Sequence, residues 1–367
     1  MAYYPVWSAD VLPPEHINFS RVDWIDFAFA MPNETFGLNW DGSDNAPGIL
    51  MRLVNVAHQQ EKKVKLSVGG WGGSRFFSPA MNNYNSRQAF VKNIALVYDQ
   101  FHLDGIDIDW EYPARPGDPR NYVGSNDTAN FLEFLRLLRT TLPSTARISA
   151  AVPATPFSDA NGQPMKDVRS FADVLDWILI MNYDVWGASS NPGPNAPLSD
   201  ACKNSTQPAA SAEAAIKAWT AAGVQPSQLV LGVPSYGYIS TSQASRLRQR
   251  DQNASLPYVH ALTDEGADNG QVQFRELVRQ GVLCRDATSP ERYVGCGGFT
   301  REWDPCSSTP FLRSEAGQLI TYDDAQSLEL KSAYAKENGL LGINIFDVHG
   351  DTNECELLDS LRLGLGL

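Results

Sequence analysis

Lys63-Val64-Lys65-Leu66-Ser67-Val68 leads, through a glycine-rich run and a helical stretch over 86–101, into Gly105-Ile106-Asp107-Ile108-Asp109. Short apolar runs bounded by turn residues read as strands, and a helical crossover between two of them makes them parallel. The same rhythm continues in both directions. Strands are predicted at 3–6, 24–30, 147–151, 177–182, 229–233 and 341–346, and helices over 46–60, 126–141, 209–222, 322–337 and 354–363. Eight strands alternating with helices predict an α/β chain folded as a (β/α)8 TIM barrel. A doubly wound open sheet shares the alternation. The even strand spacing, and a chain of 367 residues against the ~250 typical of a barrel, favour the barrel.

One gap breaks the rhythm. About 85 residues separate the seventh strand from the helix at 322, too many for a structureless loop. They carry their own helical pattern over 272–280 and strand-like pieces. Residues 238–319 are therefore expected to form a small α+β insertion between the seventh and eighth strands, with 1–237 and 320–367 as the barrel. The expected position is the C-terminal face, where barrel active sites lie.

The fourth strand runs on as Asp104-Gly105-Ile106-Asp107-Ile108-Asp109-Trp110-Glu111-Tyr112-Pro113. Alternate residues of a strand face the same side, so Asp107, Asp109 and Glu111 point together while Ile106 and Ile108 face the helices. Three carboxyls ~7 Å apart on one face are costly unless they share protons or strong hydrogen bonds, and at least one must hold its proton above the usual range. Glu111, at the end of the row, is placed to be a general acid. A calcium loop would set its carboxylates on a turn with glycine at a fixed place, not on an apolar strand.

Composition narrows the partners. A net charge of −13 repels nucleic acid and anionic membranes, and no run of 18 apolar residues is present to span a bilayer. A neutral polysaccharide is indifferent to that charge. With 9 Trp, 13 Tyr and 16 Phe, the chain has flat rings enough to stack on pyranose faces as well as to fill a core. Tyr3, Trp7, Phe29, Trp71, Tyr112, Tyr236 and Phe346 fall at or near expected C-terminal strand ends. A lone aromatic is more often core; clustering at one barrel face favours ligand contact for Trp71 and Tyr112. Gly69-Gly70-Trp71-Gly72-Gly73 lacks the lysine and spacing of a phosphate loop, and the five histidines lack metal-ligand spacing, so neither cofactor nor metal is expected.

Cys202, Cys284, Cys296, Cys306 and Cys355 show no zinc spacing; one or two disulfides are expected, with the pairing open. Five sequons (Asn18, Asn33, Asn126, Asn204, Asn253) add to the expectation of a secreted, extracellular glycoprotein. The opening reads as strand, so a mature form with any leader removed is expected.

The segment 104–113 resembles the D-x-x-D-x-D-x-E signature of family 18 glycoside hydrolases, the chitinases. Ser67-Val68-Gly69-Gly70-Trp71 is similar to that family's third-strand motif, Met181-Asn182-Tyr183-Asp184 to its sixth, and Val233-Pro234-Ser235-Tyr236-Gly237 to its seventh. The order and spacing match, so the resemblance covers essentially the whole chain. It implies a monomeric chitinase acting on chitin or N-acetylglucosamine oligosaccharides, with no cofactor. Glu111 would protonate the leaving oxygen and later activate water. Asp109 would orient the acetamido group with Asp107 beneath it; Tyr183 would bond the acetamido carbonyl and Asp184 the sugar. Tyr3, Trp7, Phe29, Gly70, Trp71, Tyr112, Met181, Tyr236 and Phe346 would line the substrate. Family 18 enzymes are substrate-assisted exceptions to the two-carboxylate scheme. This chain departs from the family pattern twice: Phe346 stands where tryptophan is usual, and Tyr238 where arginine often follows Tyr-Gly. The rivals are a catalytically silent chitin-binding lectin, which would typically lack the acid, and an endoglycosidase of N-glycans, which would usually lack the insertion.

Overall fold

The computed structural model describes residues 1–189, 191–241, 270–289, 292–314 and 316–367. The sequon Asn253, His260 and the stretch 242–269 of the expected insertion lie outside the described residues. Eight parallel strands form the main sheet: β1 (Ala2–Pro5), β2 (Trp24–Pro32), β3 (Lys63–Gly69), β4 (Gly105–Asp109), β5 (Arg147–Val152), β6 (Trp177–Met181), β7 (Leu229–Pro234) and β8 (Gly342–Phe346). The sheet order is β1-β8-β7-β6-β5-β4-β3-β2, and β1 also pairs with β2, so the sheet closes into a (β/α)8 barrel. Leu38–Trp40 folds back antiparallel on β2 as a ninth strand.

The helices include α1 (Ala46–Gln59), α2 (Tyr84–Phe101), α3 (Asp127–Thr141), α4 (Arg169–Ala172), α5 (Ala212–Ala221), α6 (Ala325–Glu337) and α7 (Glu356–Leu365). Asn83 and Asp324 cap α2 and α6 in reciprocal capping boxes with Ser86 and Ser327. That is why α6 begins at Ala325 and not at 322. After β1 the alternation fails. Pro13 and Pro14 lack the amide a helix needs, and the segment forms three 3-10 turns in place of a helix.

By contact density the chain divides into two compact units, Met1–Ile180 with Lys217–Val230, and Met181–Ile216 with Leu231–Leu367. In the first, Ile106 and Ile108 are fully buried on the helix side of β4. Trp110 continues that face, stacking on Phe77 at 5.2 Å and meeting Phe131 edge-on at 5.7 Å. This aromatic anchor fixes the alternation, so Asp109 and Glu111 are committed to the opposite side.

The second unit holds a five-stranded antiparallel sheet in the order Gln271–Gln273, Tyr236–Thr241, Gln318–Thr321, Thr309–Ser314 and Phe299–Asp304. Phe274–Arg279 is the helix read from the 272–280 pattern. Cys284–Cys296 straps the hairpin of Leu283–Arg285 and Tyr293–Gly295, and Cys202–Cys306 closes a separation of 104 residues. Among the described residues no helix is long and apolar enough to cross a membrane. The longer bridge removes more freedom from the unfolded chain, so replacing Cys202 and Cys306 with alanine should cost about 3–5 kcal/mol. Denaturant titration in non-reducing buffer checks this; an unchanged midpoint would show that the bridge constrains nothing.

Candidate active site

Strand register sets the floor of the site in the first unit. Ser67 of β3 pairs with Asp107 of β4, which pairs with Ser149 of β5. Side chains at one level of a barrel meet inside it. Asp107 Oδ2 accepts from the Tyr3 hydroxyl at 2.9 Å and the Ser67 hydroxyl at 2.8 Å, and Oδ1 accepts from Ser149 at 2.5 Å. Three hydroxyls aimed at one carboxyl fit its ionised, acceptor-only form. Tyr3, expected among the substrate contacts, is 1% exposed with its hydroxyl committed to Asp107.

Asp109 is different. It is 3% exposed, and its Oδ1 is buried without a hydrogen-bond partner among the described residues. Burial, then the charges of Glu111, Asp107 and Asp26, push its carboxyl well above the usual range. Asp109 is thus a member of the row whose carboxyl is raised, as the like-charge argument requires of at least one.

Glu111 is held by its backbone. Its N–H donates to Ser74 Oγ at 2.9 Å, and Ser74 in turn donates to the Gly70 carbonyl at 2.8 Å. Its carbonyl accepts from Asn121 Nδ2 at 2.9 Å, and a Cβ at Gly117 would stand 1.9 Å from that oxygen, so only glycine lets the loop pass. The Tyr112 hydroxyl is held above its usual range by burial and then by the Glu111 charge, and the Arg115 guanidinium lies 4.3 Å from its ring centroid.

Aromatic rings flank the row. The register slips at Phe29, between Ala28 and Ala30, and a bulge of this kind re-aims a side chain. Phe29 lies 6.3 Å from Tyr3 and 6.2 Å from Trp7. Gly70, at φ +84°, has the Phe29 ring 3.0 Å from where a Cβ would sit. Trp7 and Trp71 are about half exposed, at 48% and 52%, leaving their faces open to a ligand.

The second unit carries its own cluster. Tyr183 lies 5.9 Å from Phe346 and 6.3 Å from Tyr236, at the carboxyl ends of β6, β8 and β7. Met181, half-buried, closes β6. The Tyr236 and Tyr238 hydroxyls both donate to Asp184 Oδ1, at 2.7 and 2.6 Å. Asn195, absent from the sequence reading, accepts the Asp184 N–H at 2.8 Å and donates to the Tyr236 carbonyl at 3.0 Å. Burial raises the Asp184 carboxyl above its ordinary value, and the two phenols lower it.

A carboxyl raised in this way favours folding at low pH, and that contribution is lost as pH rises through the folded-state value. Tyr238→Phe removes one lowering hydrogen bond, so Asp184 should titrate at higher pH than in the parent. A 13C carboxyl titration followed by NMR measures this; an unmoved Asp184 would mean that Tyr236 alone sets it.

A parallel barrel that gathers polar side chains and open aromatic faces at the carboxyl ends of its strands has the architecture of barrel active sites. The family model "Glycosyl hydrolases family 18" matches residues 1–351, and the chain belongs to that family. A chitinase-like effector of Moniliophthora roreri is 36% identical over all of this chain and 92% of its own length. Chitinase A1 of Niallia circulans is 28% identical over 90% of this chain, which spans 46% of that protein. The crystal structure of a chitinase from Rhizomucor miehei superposes with a TM-score of 0.84 at 34% identity, covering 99% of this chain and 98% of the other.

Proposed function

We propose that this protein is a secreted chitinase that hydrolyses β-1,4 links between N-acetylglucosamine units with retention of configuration. The observation that carries the reading is the row Asp107–Asp109–Glu111, in which Asp107 and Asp109 are buried and burial with the neighbouring charges pushes the Asp109 carboxyl well above the usual range. Glu111 protonates the leaving oxygen and then takes a proton from water. Asp109 holds the acetamido N–H, and Asp107 steadies Asp109. Tyr183 bonds the acetamido carbonyl, and Asp184 bonds the sugar. The half-exposed Trp7 and Trp71 stack on pyranose faces, with Phe29, Gly70, Tyr112, Met181, Tyr236 and Phe346 shaping the walls. Residues 238–319 act as a domain of their own that adds contacts to longer chains. The two disulfides favour an oxidising compartment.

A second reading, chitin binding without cleavage, is favoured by one finding: the Moniliophthora roreri relative is called an effector and only chitinase-like. Incubation with N-acetylglucosamine hexamer separates the two. Shorter products support the hydrolase; an intact hexamer that binds tightly supports the binder.

A further inference from the structure

A lysine stands beneath the carboxylate row. Lys65 of β3 is 1% exposed, and Val64 and Leu66 on either side face the helices, so strand alternation sends the lysine into the barrel. A buried ammonium persists only with close partners. Its Nζ lies 3.0 Å from Asp26 Oδ1, 3.8 Å from Asp107 Oδ1 and 4.4 Å from the Trp177 ring centroid, and it donates to Ser149 Oγ at 2.5 Å. Gly105 packs too closely for a side chain: a Cβ there would stand 2.3 Å from the Arg147 carbonyl oxygen and 3.0 Å from Lys65 Cγ.

The direction of these bonds matters. An ammonium has three donors and no acceptor, so Ser149 must accept from Lys65. The single Ser149 proton is then free for Asp107, to which it donates at 2.5 Å. Lys65 thereby reaches Asp107 twice, through space and through one hydroxyl. Among the described residues, Tyr3 from β1 and Ser67 from β3 also donate to Asp107, and the carboxyls of Asp26 on β2, Asp109 on β4 and Glu111 just beyond β4 belong to the same charged cluster.

We propose that Lys65, compensated by Asp26, is a positioning residue of the active site. It keeps Asp107 ionised and so directs the row's shared proton upward to Asp109, where the acetamido group is met. The inference rests on the hydrolase reading for its kinetic consequence but not for its structural one. Without the lysine, Asp107 competes for the proton. Asp109 is then charged more of the time, and the acid arm of the pH profile climbs.

The test compares Lys65→Met, and Lys65→Met combined with Asp26→Asn so that no buried charge is orphaned, with the parent protein. Aspartate 13C carboxyl shifts are followed against pH by NMR, with Asp107→Asn and Asp109→Asn supplying assignments. Thermal unfolding confirms that each variant is folded. In the parent, Asp109 should show the protonated form and Asp107 the ionised form at mildly acidic pH; in the double variant the two should converge. For hydrolysis of N-acetylglucosamine hexamer, the acid arm of kcat/KM should move up by about one pH unit, as expected when an opposite charge within ~4 Å is lost. KM should change less than kcat. Folded variants with parental carboxyl shifts and an unmoved profile would overturn the proposal and leave Lys65 as packing. If the parent cleaves nothing, the hydrolase reading fails, while the carboxyl shifts still decide the role of Lys65.

Discussion

Glu111→Gln should lower hydrolysis of N-acetylglucosamine oligomers by ~10²–10⁴-fold or more, with oligosaccharide binding kept within a few-fold. The amide has the shape of the carboxyl but no proton to give the leaving oxygen. Its position should be unchanged, because the backbone of residue 111 is set by Ser74 and Asn121 through main-chain atoms that the substitution does not touch. Trp110, packed on Phe77 and Phe131, fixes the strand face independently. Loss of turnover is therefore chemical and not conformational. Calorimetric titration of hexamer beside product chromatography reads both quantities. A variant that retains near-parental turnover would remove Glu111 from the role of acid, and one that loses binding as well would make the residue a substrate contact first.

The second large effect concerns the substrate. Removing the acetyl group from the sugar on the non-reducing side of the scissile bond should abolish cleavage there, because its carbonyl oxygen is the proposed nucleophile. A retaining site with two carboxyls needs the second ~5–5.5 Å from the acid and across the scissile bond. Asp109 stands on the same strand face as Glu111, which suits holding an N–H better than attacking from the far side. Its Oδ1 is buried with no partner among the described residues, and an acetamido N–H is a donor that such an acceptor can take. Attack from within the substrate also gains the high effective molarity of an intramolecular step. Partly deacetylated chitosan provides the measurement. New reducing ends should be N-acetylglucosamine almost without exception, and frequent unacetylated glucosamine at those ends would rule the mechanism out.

The period-two pattern of 105–111 carried both the strand and the aim of its carboxyls, because alternation is a local property and Trp110 reinforces it. The same pattern in β3 puts Lys65 and Ser67 on the inner face, and in β2 it does so for Asp26. What those residues meet was not legible. That Ser67 and Ser149 flank Asp107 depends on the register of three strands far apart in sequence, which no short motif encodes. Tyr238 stood out as a departure from the family, but its target, Asp184, lies 54 residues away. Asn195, in the loop after β6, joins that pair through backbone groups and leaves no pattern to read. The missing first helix was legible in Pro13-Pro14, and the regularity of the other repeats obscured it.

Proton NMR of the first products from N-acetylglucosamine hexamer, with anomers resolved before mutarotation, tests the central claim most directly. The β anomer should appear first at the new reducing ends. Initial release of the α anomer, or no products from a protein that binds the hexamer, would contradict it.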